Sequence, residues 1–406
     1  MTVPKLRFKE FDGGWTKSTI QFFMDNNFIL DQMDGNHGEL YPKSEEFSAT
    51  GVPYISATDF SFGDVNFATC KRLPIERAKL FKKGIAKNGD VLFAHNATVG
   101  PVAILKTDLD FVILSTTATY YRCEATYLNN HYLKNYFESD FFVQQYFGIM
   151  SQSTRNQVPI TTQRKLNIAV PNIQEQTKIA SFLSAVDEKI SQLTQKHELL
   201  SQYKQGMMQK LFSQQLRFKA DDGSEFGEWE EKELKDIAEI NPKSKKLPES
   251  FIYIDLESVE KGQLLLQKNI ELQDAPSRAQ RLLAKGDVLF QMVRPYQQNN
   301  YYFNLSGEYV ASTGYAQIRT KLDSKFIYYA LHEKTFLDEV MNRCTGTSYP
   351  AINSSDLSSI EILIPCLEEQ TKIANFLSAI DQKIEVVAQQ IEQAKTWKKG
   401  LLQQMF

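Results

Sequence analysis

The chain is poor in cysteine, in charge of one sign and in long apolar runs, and each shortage removes a class of protein. Its four cysteines, Cys70, Cys123, Cys344 and Cys366, show no CxxC spacing and no matching histidine pair, which argues against a zinc site or a disulfide framework and fits a reducing cytoplasm. No stretch of 18 apolar residues is present to span a bilayer, and Met1 is followed by Thr2, Val3, Pro4 and Lys5 rather than by an apolar signal region; a soluble, cytoplasmic protein is expected. A formal net charge of -3, with 23% charged residues, is not the balance of a histone-like or tail-driven nucleic-acid binder. Any basic footprint has to be local.

Catalytic signatures are missing as well. There is no GxxxxGK[ST] phosphate loop, no HExxH and no NPPF or DPPY motif; Asn241-Pro242-Lys243 lacks the second proline and the aromatic that would stack on a flipped base. The acid pairs Glu230-Glu231 and Asp221-Asp222 lie in polar, junction-like sequence. The five histidines are scattered, and His197 falls where a polar residue would set helix register. The expectation is a chain with no catalytic residues, no metal and no cofactor of its own.

What the sequence does contain is itself, twice. Gln176 to Ile190 and Gln370 to Ile384 are identical at twelve of fifteen positions, where unrelated sequence would match at about one. Upstream, Leu6-Arg7-Phe8-Lys9 recurs as Leu216-Arg217-Phe218-Lys219, each followed by Asp-Gly and then by Trp15 or Trp229. Gly89-Asp90-Val91-Leu92-Phe93 recurs as Gly286-Asp287-Val288-Leu289-Phe290. The chain is a near-complete head-to-tail duplication with its junction at Phe212 to Leu216.

Each half has a variable and a shared part. The variable parts, about residues 14–170 and 228–364, hold short apolar and β-branched runs between Gly, Pro, Asn and Asp, with helices over Asn130–Met150 and Lys325–Asn342, and read as mixed, strand-rich domains. The shared parts are helical with a heptad period. Ile179, Leu183, Val186, Ile190 and Leu193 begin one seam; Ile373, Leu377, Ile380, Ile384 and Val387 begin the other. Either the two seams pair antiparallel, relating the halves by a pseudo-two-fold, or each helix packs on its own domain. The fold class expected is α+β, with two strand-rich domains (1–170 and 213–364, the latter including the junction) separated by two long helices (171–212 and 365–406).

These repeats, each helix preceded by an apolar strand ending at Pro171 or Pro365, resemble the specificity subunits of type I restriction-modification systems over essentially the whole chain. The resemblance implies two target recognition domains, each reading one half of a bipartite site in double-stranded DNA, and helices that set the spacing and dock two modification (methyltransferase) subunits, with restriction (motor and nuclease) subunits as further partners. It also implies that S-adenosylmethionine, ATP and magnesium are bound by those partners. The repeated QTKIA segments, with Gln176, Thr177, Lys178 and Ser184 in one copy and Gln370, Thr371, Lys372 and Ser378 in the other, are the expected docking surfaces.

Base edges are distinguished by hydrogen-bonding side chains and phosphates are neutralised by cations, so the DNA-reading candidates lie in the variable domains. One group is basic: Lys71, Arg72, Arg77, Lys79, Lys82, Lys83 and Lys87, answered by Arg278, Arg281 and Lys285. A second, polar group follows the repeated GDVLF: His95, Asn96 and Thr98 in one half, Arg294, Tyr296, Gln297, Gln298, Asn299 and Asn300 in the other. A third precedes each shared helix: Arg155, Asn156 and Gln157, and Arg343, Thr347, Ser348 and Tyr349. Solvated helix faces and ordinary surface loops are the competing explanations of all three. For the whole chain the rivals are a single-chain enzyme of unrecognised chemistry and a coiled-coil scaffold that binds only protein.

Overall fold

The structure, a computed structural model, describes residues 4–36, 38–61, 63–150, 156–243 and 246–406. The chain divides into two compact units, Met1–Lys196 with Val387–Phe406, and His197–Val386.

In the first unit the strand Val91–Asn96 sets the layering. Val91 and Phe93 join a core with Tyr121, Leu133, Phe137 and Phe142, while Leu92, between them, joins another with Ile55, Val112 and Leu114. A strand covered on both faces is apolar where both cores reach it, which is why Val91 to Ala94 lack polar alternation. It lies inside an antiparallel sheet ordered Ile29–Asp34, Ala118–Cys123, Val91–Asn96, Thr98–Ile104. The second sheet is ordered Lys71–Leu73, Val52–Ile55, Val112–Leu114, Ile85–Ala86, and its middle pair is parallel. Helices Asn130–Glu138 and Asp140–Met150 cover the first sheet; the single helix expected there is broken at Ser139, whose hydroxyl turns back onto the Tyr136 carbonyl.

The second unit repeats this arrangement strand for strand. Its sheets are ordered Ala238–Ile240, Tyr315–Thr320, Val288–Gln291, Tyr301–Tyr302, and Lys268–Glu271, Ser250–Ile254, Tyr309–Ser312, Ala279–Leu282, again with a parallel middle pair. The helix expected over Lys325–Asn342 is likewise two, Ser324–Ala330 and Lys334–Asn342, the latter capped by the Glu333 carboxylate. The repeated Gly-Asp is a folding device. Gly89 and Gly286 take positive φ (87° and 95°), and the buried Asp90 and Asp287 accept backbone N–H bonds from Lys87 and Ala284 and ion pairs from Arg122 (2.8 Å) and Arg319 (2.7 Å) on the neighbouring strand.

The shared helices run Ile173–Phe212 and Leu367–Met405. In the first unit the start of one meets the end of the other: Ile179, Leu183, Val186 and Ile190 share a core with Leu401, Leu402 and Met405, Phe182 lies edge-on to Trp397, and Asp187 pairs with Lys398 at 2.7 Å. In the second, Ile373, Leu377 and Ile380 share a core with Leu211, and Asp381 pairs with Lys204 at 2.6 Å. Rising numbers meet falling ones, so the pairing within each unit is antiparallel. Nine of the ten named seam residues are buried, and Ile384 is half-buried against the second core. Lys204 and Lys398 occupy seam positions because each has an aspartate to meet.

The LRFK repeat clasps the helix starts. Arg7 donates to both carboxylate oxygens of Glu175 (2.7 Å each) and to the Gly13 carbonyl; Arg217 donates to both of Glu369 (3.1 and 2.8 Å) and to the Gly227 carbonyl. Both glutamates are fully buried, and both stand in the first turn of their helix, where the backbone dipole favours an anion. The Trp229 indole adds a third donor to Glu369, at 3.1 Å, whereas the Trp15 indole N–H has no partner among the described residues. Removing one member of a buried pair leaves an uncompensated charge, at a cost of about 3–5 kcal/mol. Arg7→Ala is expected to lower the unfolding free energy by about that much, and Arg217→Ala by less because Trp229 remains. Urea unfolding of the two variants measures the order; equal or negligible losses would remove the clasp from this account.

Candidate nucleic-acid interface

The second and third groups of candidates, far apart in sequence, meet in each unit. In the first, the chain leaves Val91–Asn96 through Ala97, which is left-handed (φ 63°), and turns into Thr98–Ile104. The segment before the shared helix closes on this hairpin. Asn96 bridges Gln157, Ala97 N–H donates to the Asn156 carbonyl (3.1 Å), the Asn156 amide returns to the Ala97 carbonyl (3.0 Å), and Val158 N–H donates to the His95 carbonyl (2.8 Å). In the second unit the left-handed residue is Arg294 (φ 54°), at the same offset as the two Gly-Asp motifs. Val293 bridges Ala351, Arg294 N–H donates to the Pro350 carbonyl (2.7 Å), and Ile352 N–H donates to the Met292 carbonyl (3.0 Å). Two polar segments thus make one apex in each half.

Buried polar groups hold each apex. His95 is only 5% exposed; its Nδ1 lies 2.9 Å from the Thr119 hydroxyl, so the ring is turned inward rather than presented to solvent. The Gln163 amide donates to the Thr119 hydroxyl (3.1 Å) and the Val158 carbonyl (2.7 Å), and accepts from the Tyr121 hydroxyl (2.6 Å). In the second unit the buried Gln291 amide donates to the Val293 carbonyl (2.8 Å) and to Gln297 Oε1 (2.9 Å), and accepts from Asn299 N–H (3.0 Å), while Asn300 Oδ1 accepts Gln291 N–H (2.8 Å). Sequence reasoning missed Thr119, Gln163 and Gln291 because a polar residue inside a strand or short helix carries no local signal of what lies across from it.

Thr98 and Asn156 are exposed on the first apex, with Asn96 and Gln157 half-buried. Arg155 lies outside the described residues. On the second, Tyr296, Gln297, Thr347, Ser348 and Tyr349 are exposed, and Arg294 and Asn299 are half-buried. Asn299 accepts Lys261 N–H at 3.0 Å. Arg343 is committed elsewhere, donating to Glu339, the Asp356 carbonyl and Ser359.

The basic group is partly spoken for. Arg72 donates to the Gly51 and Phe67 carbonyls, Arg77 pairs with Glu46, and Lys79 pairs with Glu76. Lys71 sits over the Phe47 ring with its head exposed, and Lys82 and Lys83 are exposed. Arg278 is exposed, whereas Arg281 is half-buried, and burial lowers its pKa below the usual guanidinium value. In the QTKIA repeats, Gln176 and Gln370 are buried, not presented: each donates to the carbonyl of Pro171 or Pro365 and accepts a backbone N–H from Asn129 or Asp323. Thr177, Lys178 and Thr371 remain exposed.

The sequence profile of the family described as the type I restriction modification DNA specificity domain matches residues 31–202 and again 227–396. The chain belongs to this family. A Methanocaldococcus jannaschii protein assigned as the MjaX type I restriction enzyme specificity subunit is 29% identical over 333 residues, 77% of this chain and 76% of the relative. The MjaVIII specificity subunit of the same organism is 28% identical over 256 residues, 58% and 60% of the two chains. The crystal structure of the type I restriction-modification S subunit from M. genitalium superposes with a TM-score of 0.60 at 16% identity, covering 100% of this chain and 99% of that one, and so shares its fold. A chain of the type I restriction-modification system superposes at 0.56 with 19% identity, covering 96% and 97%. For a specificity domain of this family, an apex fixed by buried bonds can vary its exposed side chains without moving its backbone. Among the described residues no helix is long and apolar enough to cross a membrane, and no group of His, Cys, Asp or Glu is placed to hold a metal.

Gln163→Leu leaves the Thr119 and Tyr121 hydroxyls and the Val158 carbonyl short of a partner, and is expected to cost about 1–3 kcal/mol. Hydrogen exchange should rise first at Ala97 and Val158; protection unchanged at those two amides would mean that the network does not support the apex.

Proposed function

We propose that this chain is the sequence-reading, non-catalytic subunit of a type I restriction-modification complex. Residues 1–170 read one half of a bipartite target in double-stranded DNA, and residues 213–364 read the other. The helices 171–212 and 365–406 set the distance between the half-sites and dock two modification subunits in pseudo-two-fold positions, while S-adenosylmethionine, ATP and magnesium belong to the partner chains. The complex works in the cytoplasm. The observation that carries the reading is the doubled apex: one backbone arrangement, built twice, bearing different hydrogen-bonding side chains. Two readers of different half-sites require this, because backbone position sets register while side chains select bases.

Asn96, Thr98, Asn156 and Gln157 are the base-reading candidates of the first half, with Arg155 beside them in sequence, and Lys71, Lys82 and Lys83 reach phosphates. In the second half the corresponding groups are Arg294, Tyr296, Gln297, Asn299, Thr347, Ser348 and Tyr349, with Arg278 on phosphate. His95, Arg72, Lys79 and Arg343 support the surface more than they form it, since each is buried or already partnered, and the half-buried Arg281 stands between the two groups.

Replacing residues 14–170 with the corresponding domain of a relative is expected to change one half of the methylated sequence and leave the other intact. Methylation-sensitive sequencing of cells carrying the chimera reads the result; a change in both halves, or in neither, would contradict two independent readers. The same complex, weighed intact, should hold two modification subunits per chain.

Inserting one heptad after Leu200 and one after Ala394 keeps the seam in phase and adds about 10 Å of helix. At roughly 3.4 Å per base pair this is about three base pairs, and about three base pairs also turn the second half-site by roughly 100°. The lengthened protein should prefer a longer gap between unchanged half-sites and bind it less well. An undisturbed gap preference, across DNAs differing only in spacer length, would mean that the helices do not set it.

A further inference from the structure

Arg294 combines three features found together at no other arginine among the described residues. Its backbone is left-handed (φ 54°, ψ 53°), a conformation that costs a side-chain-bearing residue about 1–2 kcal/mol and persists only where neighbours enforce it. Here the Pro350 carbonyl holds its N–H, and Gln297 N–H holds its carbonyl at 3.0 Å. Its guanidinium lies over the Tyr349 ring, 4.2 Å from the centroid, and Tyr349 is itself 64% exposed. Among the described residues its Nε is buried without a partner and no carboxylate pairs with it, whereas Arg217, Arg319 and Arg343 are all committed to acids.

A guanidinium stacked by one face and shut off at Nε keeps its two terminal nitrogens free along one edge. That edge offers two parallel donors, which match the O6 and N7 acceptors of guanine in the major groove. Phosphate is the other acceptor with suitable geometry, but Arg294 shares its depression with Glu257, Glu260 and Lys261, and the two carboxylates outnumber the one further cation, which disfavours a phosphate there. The first apex carries Ala97 at this position, so no side chain there can play the same part.

Resting on the two-reader function above, we propose that Arg294, oriented by Tyr349, reads a guanine in the half-site recognised by the second domain. Tyr349 is a positioning residue: its ring fixes the guanidinium plane, and Phe should serve as well.

The test uses the full chain assembled with its modification subunits, on its own target as found by methylation-sensitive sequencing. Each G·C pair of the second half-site is replaced in turn, and each guanine is also exchanged for 7-deazaguanine, which lacks the N7 acceptor. The wild type should lose about 10- to 100-fold in binding at one guanine under either change. Arg294→Ala should bind the target and that altered DNA alike while still discriminating every first-half position. Arg294→Lys, which keeps the charge but not the paired donors, should lose the same discrimination. Tyr349→Phe should retain it and Tyr349→Ala should weaken it. Ala97 shows that alanine is accommodated at this backbone position, and the lysine variant decides the matter if the alanine variant does not assemble. A half-site without guanine would overturn the proposal, as would a loss uniform across sequences with a salt dependence reduced by about one phosphate contact, or discrimination unchanged in both Arg294 variants. In each of those outcomes first-half discrimination persists and the two-reader function stands; a wild-type complex that discriminates at neither half would remove that function itself.

Discussion

A carboxylate sealed from water at the first turn of a long helix is tolerable only if a cation and further donors meet it, and this chain builds that situation twice. Arg7 meets Glu175 and Arg217 meets Glu369, each arginine also binding a nearby glycine carbonyl. The segment leading into each recognition domain is thereby tied to the start of the helix that leaves it. Phe8 on Phe182 and Phe218 on Phe376 add an aromatic contact to each clasp. With both ends of a domain held at one place, the sheets and the apex they carry have a fixed point from which to be built.

Duplication explains which residues are free to differ. Gly-Asp turns, paired Arg122 and Arg319, and buried seam residues are kept in both halves because they sit in cores or satisfy buried charge. The exposed side chains of each apex carry no such duty. Ala97 and Arg294 share a backbone conformation and a backbone bond to the segment before the shared helix, but not a side chain. Fold and surface chemistry are thus separated at the level of single residues, which allows one architecture to carry two different sets of exposed side chains.

Polar groups were harder to read than apolar ones. The seam, the strand cores and the two-domain plan were legible because hydrophobic periodicity is local. The helices over Asn130–Met150 and Lys325–Asn342 were located but not their breaks, since the Ser139 hydroxyl and the Glu333 carboxylate act through the backbone around them. Gln176 and Gln370 looked like surface because glutamine usually is, yet each satisfies a buried carbonyl and a loop N–H. His95 looked like a reader because it follows the repeated GDVLF beside other hydrogen-bonding residues, yet it is turned inward onto Thr119.

By itself the sequence determined the duplication, its α+β class, the heptad seams and the family, because repeats and periodicity are properties of order along a chain. Only the tertiary structure decided that the segment after GDVLF and the segment before the shared helix form one surface, and which of their side chains remain free. The reason is physical. Asn156 with Ala97, and Pro350 with Arg294, are joined by backbone hydrogen bonds between residues more than fifty positions apart, and backbone pairing of that kind leaves no mark on residue identity.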